Sequence, residues 1–128
     1  LTPKLRDVDT LCSMLSYEEF DEKKSFLTGE VRNENVKNYS PPDEKVDEFE
    51  IQSVQLTKDT TDFKLDLCSY ESFILVLEGS CEFKLTGSGD KFLAKRGSIF
   101  FVERNVATVV SSSNGTLILR ASVKGAFN

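Results

Sequence analysis

Apolar and polar positions alternate through most of the second half of the chain. Phe63, Leu65 and Leu67 alternate with Lys64, Asp66 and Cys68, the period-2 pattern of a half-buried strand. From Glu71 to Asn105 the chain reads ESFILVLEGSCEFKLTGSGDKFLAKRGSIFFVERN. An apolar run ends in Glu78-Gly79, an alternating strand follows, and a Gly87-Ser88-Gly89 turn leads through a short strand and a Gly97 corner into a second apolar run. Short runs rich in Phe, Val and Ile and bounded by glycines predict strands folded back on one another. Residues 106–110 continue as a strand, 111–115 turn, and 117–123 close the set. Earlier, Phe49, Ile51, Val54 and Leu56 belong to a strand whose alternation changes phase between Ile51 and Val54, which predicts an irregularity there. Seven or eight evenly spaced strands predict a mainly β fold, either a small barrel or a sandwich. An immunoglobulin-like sandwich shares this periodicity, but no tryptophan lies between a suitably spaced pair of cysteines.

The first third reads differently. Pro3 favours an extended start. Asp7 is placed to cap a helix in which Val8, Leu11, Cys12 and Leu15 fall at i, i+3, i+4 and i+7, so one face of about two turns is apolar and is expected to dock on another surface. Ser16 and Glu19 have the spacing of a capping box opening a further turn over 17–20. Residues 21–39 are mostly polar and predict a connecting segment with little core of its own, or an extended strand crossing a neighbouring surface. Pro41-Pro42 stops regular structure. The acidic run over 43–50 is expected to be a solvated face. The expected division is therefore 1–45, a helix and linker, and 46–128, a β-domain.

Length and charge narrow the function classes. A chain of 128 residues, 39% hydrophobic and 29% charged, holds one core but not two. Net charge is -5 with the basic residues dispersed, so neither nucleic acid nor an anionic membrane is an expected partner. No apolar stretch approaches the ~20 residues of a transmembrane helix. Cys12, Cys68 and Cys81 lack zinc-site spacing and are expected to be reduced thiols packed as small core residues of an intracellular protein. Lys91, Lys95 and Arg96 around the glycine turn read as a solubilising cluster. Gly87-Ser88-Gly89 is no phosphate loop, because no helical pattern follows it. Glu71, Glu78 and Glu82 do not form an acid/base pair, and Glu78 is expected to face solvent at a strand end.

The two glycine corners resemble the paired strand motifs of the cupin β-barrel. Where metal cupins carry two histidines and a glutamate before the first corner, this chain has Asp66, Cys68 and Ser72; the third histidine position falls on Thr108. Glu103 and Asn105 stand where the usual motif has proline and glycine. The chain contains no histidine, and a hydroxyl, a carboxylate and a thiol do not replace three converging imidazoles. The resemblance implies a metal-free, jelly-roll cupin barrel preceded by a short N-terminal helical segment, with Thr108 pointing into a barrel filled by Phe and Leu.

A narrower resemblance covers 1–122. The opening LTPKLRDVDTLCSMLSYEEF is similar to the segment that follows the catalytic arginine in type I, zinc-dependent mannose-6-phosphate isomerases. Tyr39-Ser40-Pro41-Pro42 with Glu48-Phe49 resembles that family's entry into its C-terminal cupin domain, and so do the EGS and KRGSIFFVERN stretches. The resemblance implies a C-terminal segment of a cytoplasmic enzyme that interconverts mannose 6-phosphate and fructose 6-phosphate through an enediol and feeds GDP-mannose synthesis. It places the zinc ligands and the catalytic arginine upstream, so this chain carries no catalytic or metal residue and is expected to be inactive alone. The upstream portion of the polypeptide is then its partner and zinc the cofactor of the whole. The resemblance also implies that Lys4, matching the lysine of the family's Thr-Pro-Lys motif, lies at the edge of the sugar-phosphate pocket, where an ammonium would hold phosphate or offset enediolate charge, and that Thr2 either donates a hydroxyl to the phosphate or only caps the local backbone. The alternative is a stand-alone metal-free cupin module that binds a small ligand or a protein partner.

Overall fold

A computed structural model describes residues 6–17, 26–43 and 45–127. It is mainly β, with one short helix. Helix α1 (Val8–Met14) starts at Asp7, whose carboxylate accepts from Thr10 N at 3.1 Å and Thr10 Oγ1 at 2.7 Å. Those two donors hold the Asp7 carboxyl below its ordinary pKa. None of its residues is buried, and Val8, Leu11 and Leu15 lie open to solvent. Its expected docking partner is not among the described residues. The proposed capping box includes Glu19, outside the described residues.

Among the described residues nine strands follow: β1 (Glu30–Val31), β2 (Val36–Tyr39), β3 (Glu50–Leu56), β4 (Thr60–Lys64), β5 (Ser72–Leu85), β6 (Lys91–Lys95), β7 (Ile99–Val102), β8 (Thr108–Ser112) and β9 (Thr116–Ser122). All pairings are antiparallel, in the order β1-β2-β3-β9-β5-β8-β4, with β6 and β7 also on β5. The sheet curls because β5 serves two layers. Its first half pairs with β7 and β9, its second half with β6 and β8. The changeover falls at a bulge between Val76 and Glu78 beside Gly79, and a bulge bends and twists a strand. Glu78 is exposed as expected, but it stands mid-strand rather than at a strand end.

Alternating inward positions of both layers form one core of Val36, Val54, Leu56, Leu65, Ile74, Val76, Cys81, Phe83, Ala94, Val110 and Ile118, with Phe63, Phe100 and Val102 against it. Two sheet layers closing on interdigitated apolar side chains are the expected end point of this pattern.

Four local expectations are corrected. Residues 36–39 form a strand on β3, with Val36 in the core; the extended alternative for this segment is the one observed. Strand β3 has no irregularity: Glu50, Gln52, Val54 and Leu56 all face inward in strict alternation. The apparent phase change came from two polar residues on the buried face, so Glu50 also leaves the solvated acidic run. The alternation holds through the buried Leu65 and breaks beyond it, leaving Leu67 exposed and Cys68 buried. Cys12 is exposed on α1, unlike the buried Cys68 and Cys81.

Gly79 and Gly97 both have positive φ, +76° and +86°, but only at Gly79 would a Cβ collide with backbone, the Gly115 carbonyl oxygen. Gly97→Ala is expected to cost about 1–2 kcal/mol from backbone strain alone. Gly79→Ala adds a clash at the bulge and is expected to cost about 3 kcal/mol or more. Urea unfolding of the two variants checks the ordering, and equal losses would remove the close approach as the cause.

Candidate functional site

The barrel interior divides into a polar end and an apolar mouth. The polar end is built on inward positions of β3, β5 and β9 and on the 65–71 connection. Arg120 of β9, directly opposite Gln52 of β3 in the ladder, is 2% exposed. Its Nε donates to Ser72 Oγ at 3.1 Å and its Nη1 to the Asp66 carbonyl at 2.5 Å. The guanidinium lies 5.2 Å from the centre of the Phe127 ring, within cation–π range. Burial pushes its pKa below the ordinary value, while Cys68 and Asp66 nearby push it the other way; a guanidinium stays charged regardless.

A second layer of contacts closes this end. Asp66 Oδ2 accepts from Gln52 Nε2 at 2.9 Å and from Arg32 Nη1 at 3.1 Å. Arg32 also donates to the Phe127 carbonyl at 2.9 Å. Glu50 Oε1 accepts from the backbone N–H groups of Ala126 and Phe127, and Cys68 Sγ donates to Ser122 Oγ. Ala126 and Phe127 are buried against Cys68, so the C-terminal residues plug the barrel. Gln52 Oε1 is the one buried side-chain polar atom without a hydrogen-bond partner among the described residues.

Three of the four positions aligned with cupin metal ligands, Asp66, Cys68 and Ser72, therefore surround Arg120. The fourth, Thr108, is buried and lines the apolar mouth. These residues do not fit a divalent metal: the Ser72 hydroxyl is already taken by a fixed cation, which would repel a second one at contact distance. Among the described residues no cluster of three or more His, Cys, Asp or Glu side chains is placed to hold a metal ion.

The apolar mouth is a cleft of about 340 Å³ lined by Ile74, Phe83, Phe92, Phe100, Val106 and Thr108, among others. Phe100 packs against Phe83 and Phe92 at 5.2 and 6.5 Å between ring centroids. Thr108 lines this cleft, so it borders a pocket, where a filled barrel interior was expected. A wider groove of about 660 Å³ runs along Thr60, Ser80, Glu82, Lys95, Ser98 and Ser111, with Cys81 in its wall. Burial raises the Cys81 pKa to about 11, so this thiol is no nucleophile near neutral pH. Lys91 pairs with Glu82 at 2.7 Å, which removes Glu82 as half of a carboxylate pair. Lys4 and Thr2 lie outside the described residues. Arg120, Gln52 and Glu50 were not singled out in the sequence; their signal is that each sits in phase with the core positions of its strand.

Comparison with known proteins supplies what the interior does not. The chain is 36% identical to mannose-6-phosphate isomerase 2 of Arabidopsis thaliana over 99% of its own length and 27% of that protein's. It is 33% identical to the mannose-6-phosphate isomerase of Ogataea parapolymorpha over 90% of itself and 28% of that protein. It thus spans less than a third of the curated relatives it matches, and the match is to their C-terminal part. No family model matches. Among solved structures, an RmlC-like cupin from Shewanella frigidimarina superposes with a TM-score of 0.59 at 14% identity, covering 87% of this chain and 93% of that one, a likeness of fold alone.

Removing Arg120 tests the account of the polar end. Arg120→Ala is expected to lose about 3 kcal/mol, because it opens a cavity and leaves Ser72 and the Asp66 carbonyl without their donor. Ser72→Ala, which strips one hydrogen bond from a charge, should lose about 1.5–3 kcal/mol. Denaturant titration measures both, and an Arg120→Ala variant as stable as the parent would remove the guanidinium from the list of interactions that hold the barrel.

Proposed function

From a chain that corresponds to the C-terminal part of the mannose-6-phosphate isomerases and folds as a cupin, we propose a non-catalytic cupin domain of a zinc-dependent isomerase. The whole polypeptide would interconvert mannose 6-phosphate and fructose 6-phosphate. One observation carries this reading: the relatives match nearly the entire chain, while the barrel positions that would bind metal are organised around Arg120. Proton transfer between C1 and C2 requires a base, an electrophile and a held substrate within ~3 Å contacts. None of these is assembled in the described interior, so the chemistry belongs to residues upstream, zinc included.

In this reading the β-domain over 46–128 supports the catalytic portion, and 1–45 forms the end of the catalytic-domain segment, with β2 crossing into the β-domain's sheet. Lys4 is assigned to the edge of the sugar-phosphate pocket as a phosphate contact, and Thr2 to a neighbouring hydroxyl contact. Both assignments rest on the Thr-Pro-Lys motif. An ammonium there is a point charge that attracts the phosphate dianion without a fixed bidentate geometry. A cytoplasmic location belongs to this reading as part of the family resemblance; separately, no described helix is long and apolar enough to cross a membrane. A second reading, a self-sufficient ligand-binding barrel, draws only on the aromatic cleft around Phe83, Phe92 and Phe100.

A coupled assay with mannose 6-phosphate and added zinc, run on the 128-residue chain and on the complete polypeptide, decides between them. The isolated chain is expected to show no turnover and no stoichiometric zinc. In the complete polypeptide Lys4→Ala should raise KM for the sugar phosphate about tenfold, the loss of one charge-assisted contact of about 1.4 kcal/mol. Robust turnover by the isolated chain would sink the proposal.

A further inference from the structure

The two outer faces of the barrel are unlike. Over the β6, β5 and β8 layer the outward positions are Ser80, Glu82, Lys84, Lys91, Leu93, Lys95, Val109 and Ser111, a surface mostly of charges and hydroxyls, with Leu93 its one large exposed apolar side chain and Val109 half-buried. Over the β3, β9, β5 and β7 layer the outward positions fall into two cross-strand rows. One runs Tyr39, Ile51, Ala121, Phe73, Phe101, and the other Lys37, Ser53, Leu119, Leu75, Ile99, polar at its β2–β3 end, where the Gln55–Leu117 pair lies beside it. Phe73, Ile99 and Phe101 are 57%, 67% and 58% exposed, and Phe73 and Phe101 meet edge to face at 5.4 Å.

Strand β7 is thus apolar on both faces, β5 is so in this layer apart from the inward Ser72, and β9 is apolar on its outward face, with Thr116 and Arg120 inward. That is the composition of strands covered on both sides, whereas a solvated sheet face alternates with polar residues. Strands spaced ~4.8 Å apart make the first row, over five strands, roughly 20 Å long and the apolar part of the second, over β9, β5 and β7, roughly 10 Å. Two such rows give a contiguous apolar patch of several hundred Å², at the upper end of what monomers leave open and large enough for the core of an interdomain contact. Among the described residues nothing packs over it beyond its own neighbours.

We infer that this face, centred on Phe73, Leu75, Ile99, Phe101 and Leu119, is the surface on which the upstream portion of the isomerase polypeptide docks. The inference rests on the functional reading above. Its occupant follows from length: more than two thirds of each relative lies outside the matched region, a body larger than this barrel and joined to it covalently. The partner surface is apolar, because an unpaired charge set against these side chains would be desolvated without compensation.

The test is thiol labelling in a Cys12→Ser background, read peptide by peptide, on the 128-residue chain and on the complete polypeptide. Ile99→Cys probes the patch and Leu93→Cys the opposite face; Cys68 and Cys81 are buried in both. Labelling of Leu93→Cys is expected at equal rates in the two forms, and labelling of Ile99→Cys at least tenfold slower in the complete polypeptide. Equal rates at Ile99→Cys in both forms overturn the inference. So does slowing in the isolated chain that grows with its concentration, which would assign the face to a second copy. Isomerase activity of the unsubstituted complete polypeptide is measured in parallel. Protection without activity defeats the functional reading and keeps the docking face, whereas activity without protection defeats the face alone.

Discussion

A charged guanidinium buried inside the barrel sets the terms for everything at its polar end. Moving such a group out of water costs several kcal/mol even after relaxation, and only close, oriented dipoles offset that cost. Arg120 finds them in the Ser72 hydroxyl, the Asp66 carbonyl and the face of Phe127. Each of these partners arrives from a different part of the chain. Ser72 comes with β5, Asp66 with the connection out of β4, and Phe127 with the C-terminal plug. Satisfying one side chain therefore fixes the path of three segments, and the path explains the second tier of contacts. Asp66 turns its carbonyl to Arg120 and its carboxylate to Gln52 and Arg32. Glu50 holds the two backbone donors that let Phe127 approach.

The architecture was legible in the sequence because its main signals are local. Glycine corners, alternation within β8 and β9, and the apolar runs of β5 and β7 each follow from neighbours a few residues apart. The interior chemistry was not legible, for a physical reason. In β3 the pattern Glu50, Gln52, Val54, Leu56 reads as a phase break if only apolar residues are allowed inside, and as unbroken alternation once a buried cation needs polar company. Arg120 likewise looks like a solvent-facing residue between Leu119 and Ala121 until its register with Ile118 is given priority. The metal-ligand count located Asp66, Cys68 and Ser72 as one spatial group without revealing what they gather around. Residues 36–39 show the same limit from the other side: a strand that contributes only Val36 to the core leaves little periodic trace, and its place is set by long-range pairing with β3.

The arrangement also bears on how this interior of cupin shape differs from one built around a metal. A divalent metal and a guanidinium make related demands on a barrel wall, since both draw oxygen atoms toward a buried positive charge. They differ in what they permit. A catalytic metal leaves a coordination position open to substrate, whereas Arg120 is a fixed, planar donor whose bonds are directed into the wall and whose ring contact seals the C-terminal plug. The polar end is filled by Arg120 and its partners together with Ala126 and Phe127, and the aromatic cleft lies at the mouth marked by Thr108. The inner side of this sheet is organised by one buried charge, while its outer side presents Phe73, Ile99 and Phe101, the face on which the proposed docking of an adjoining portion of the polypeptide rests.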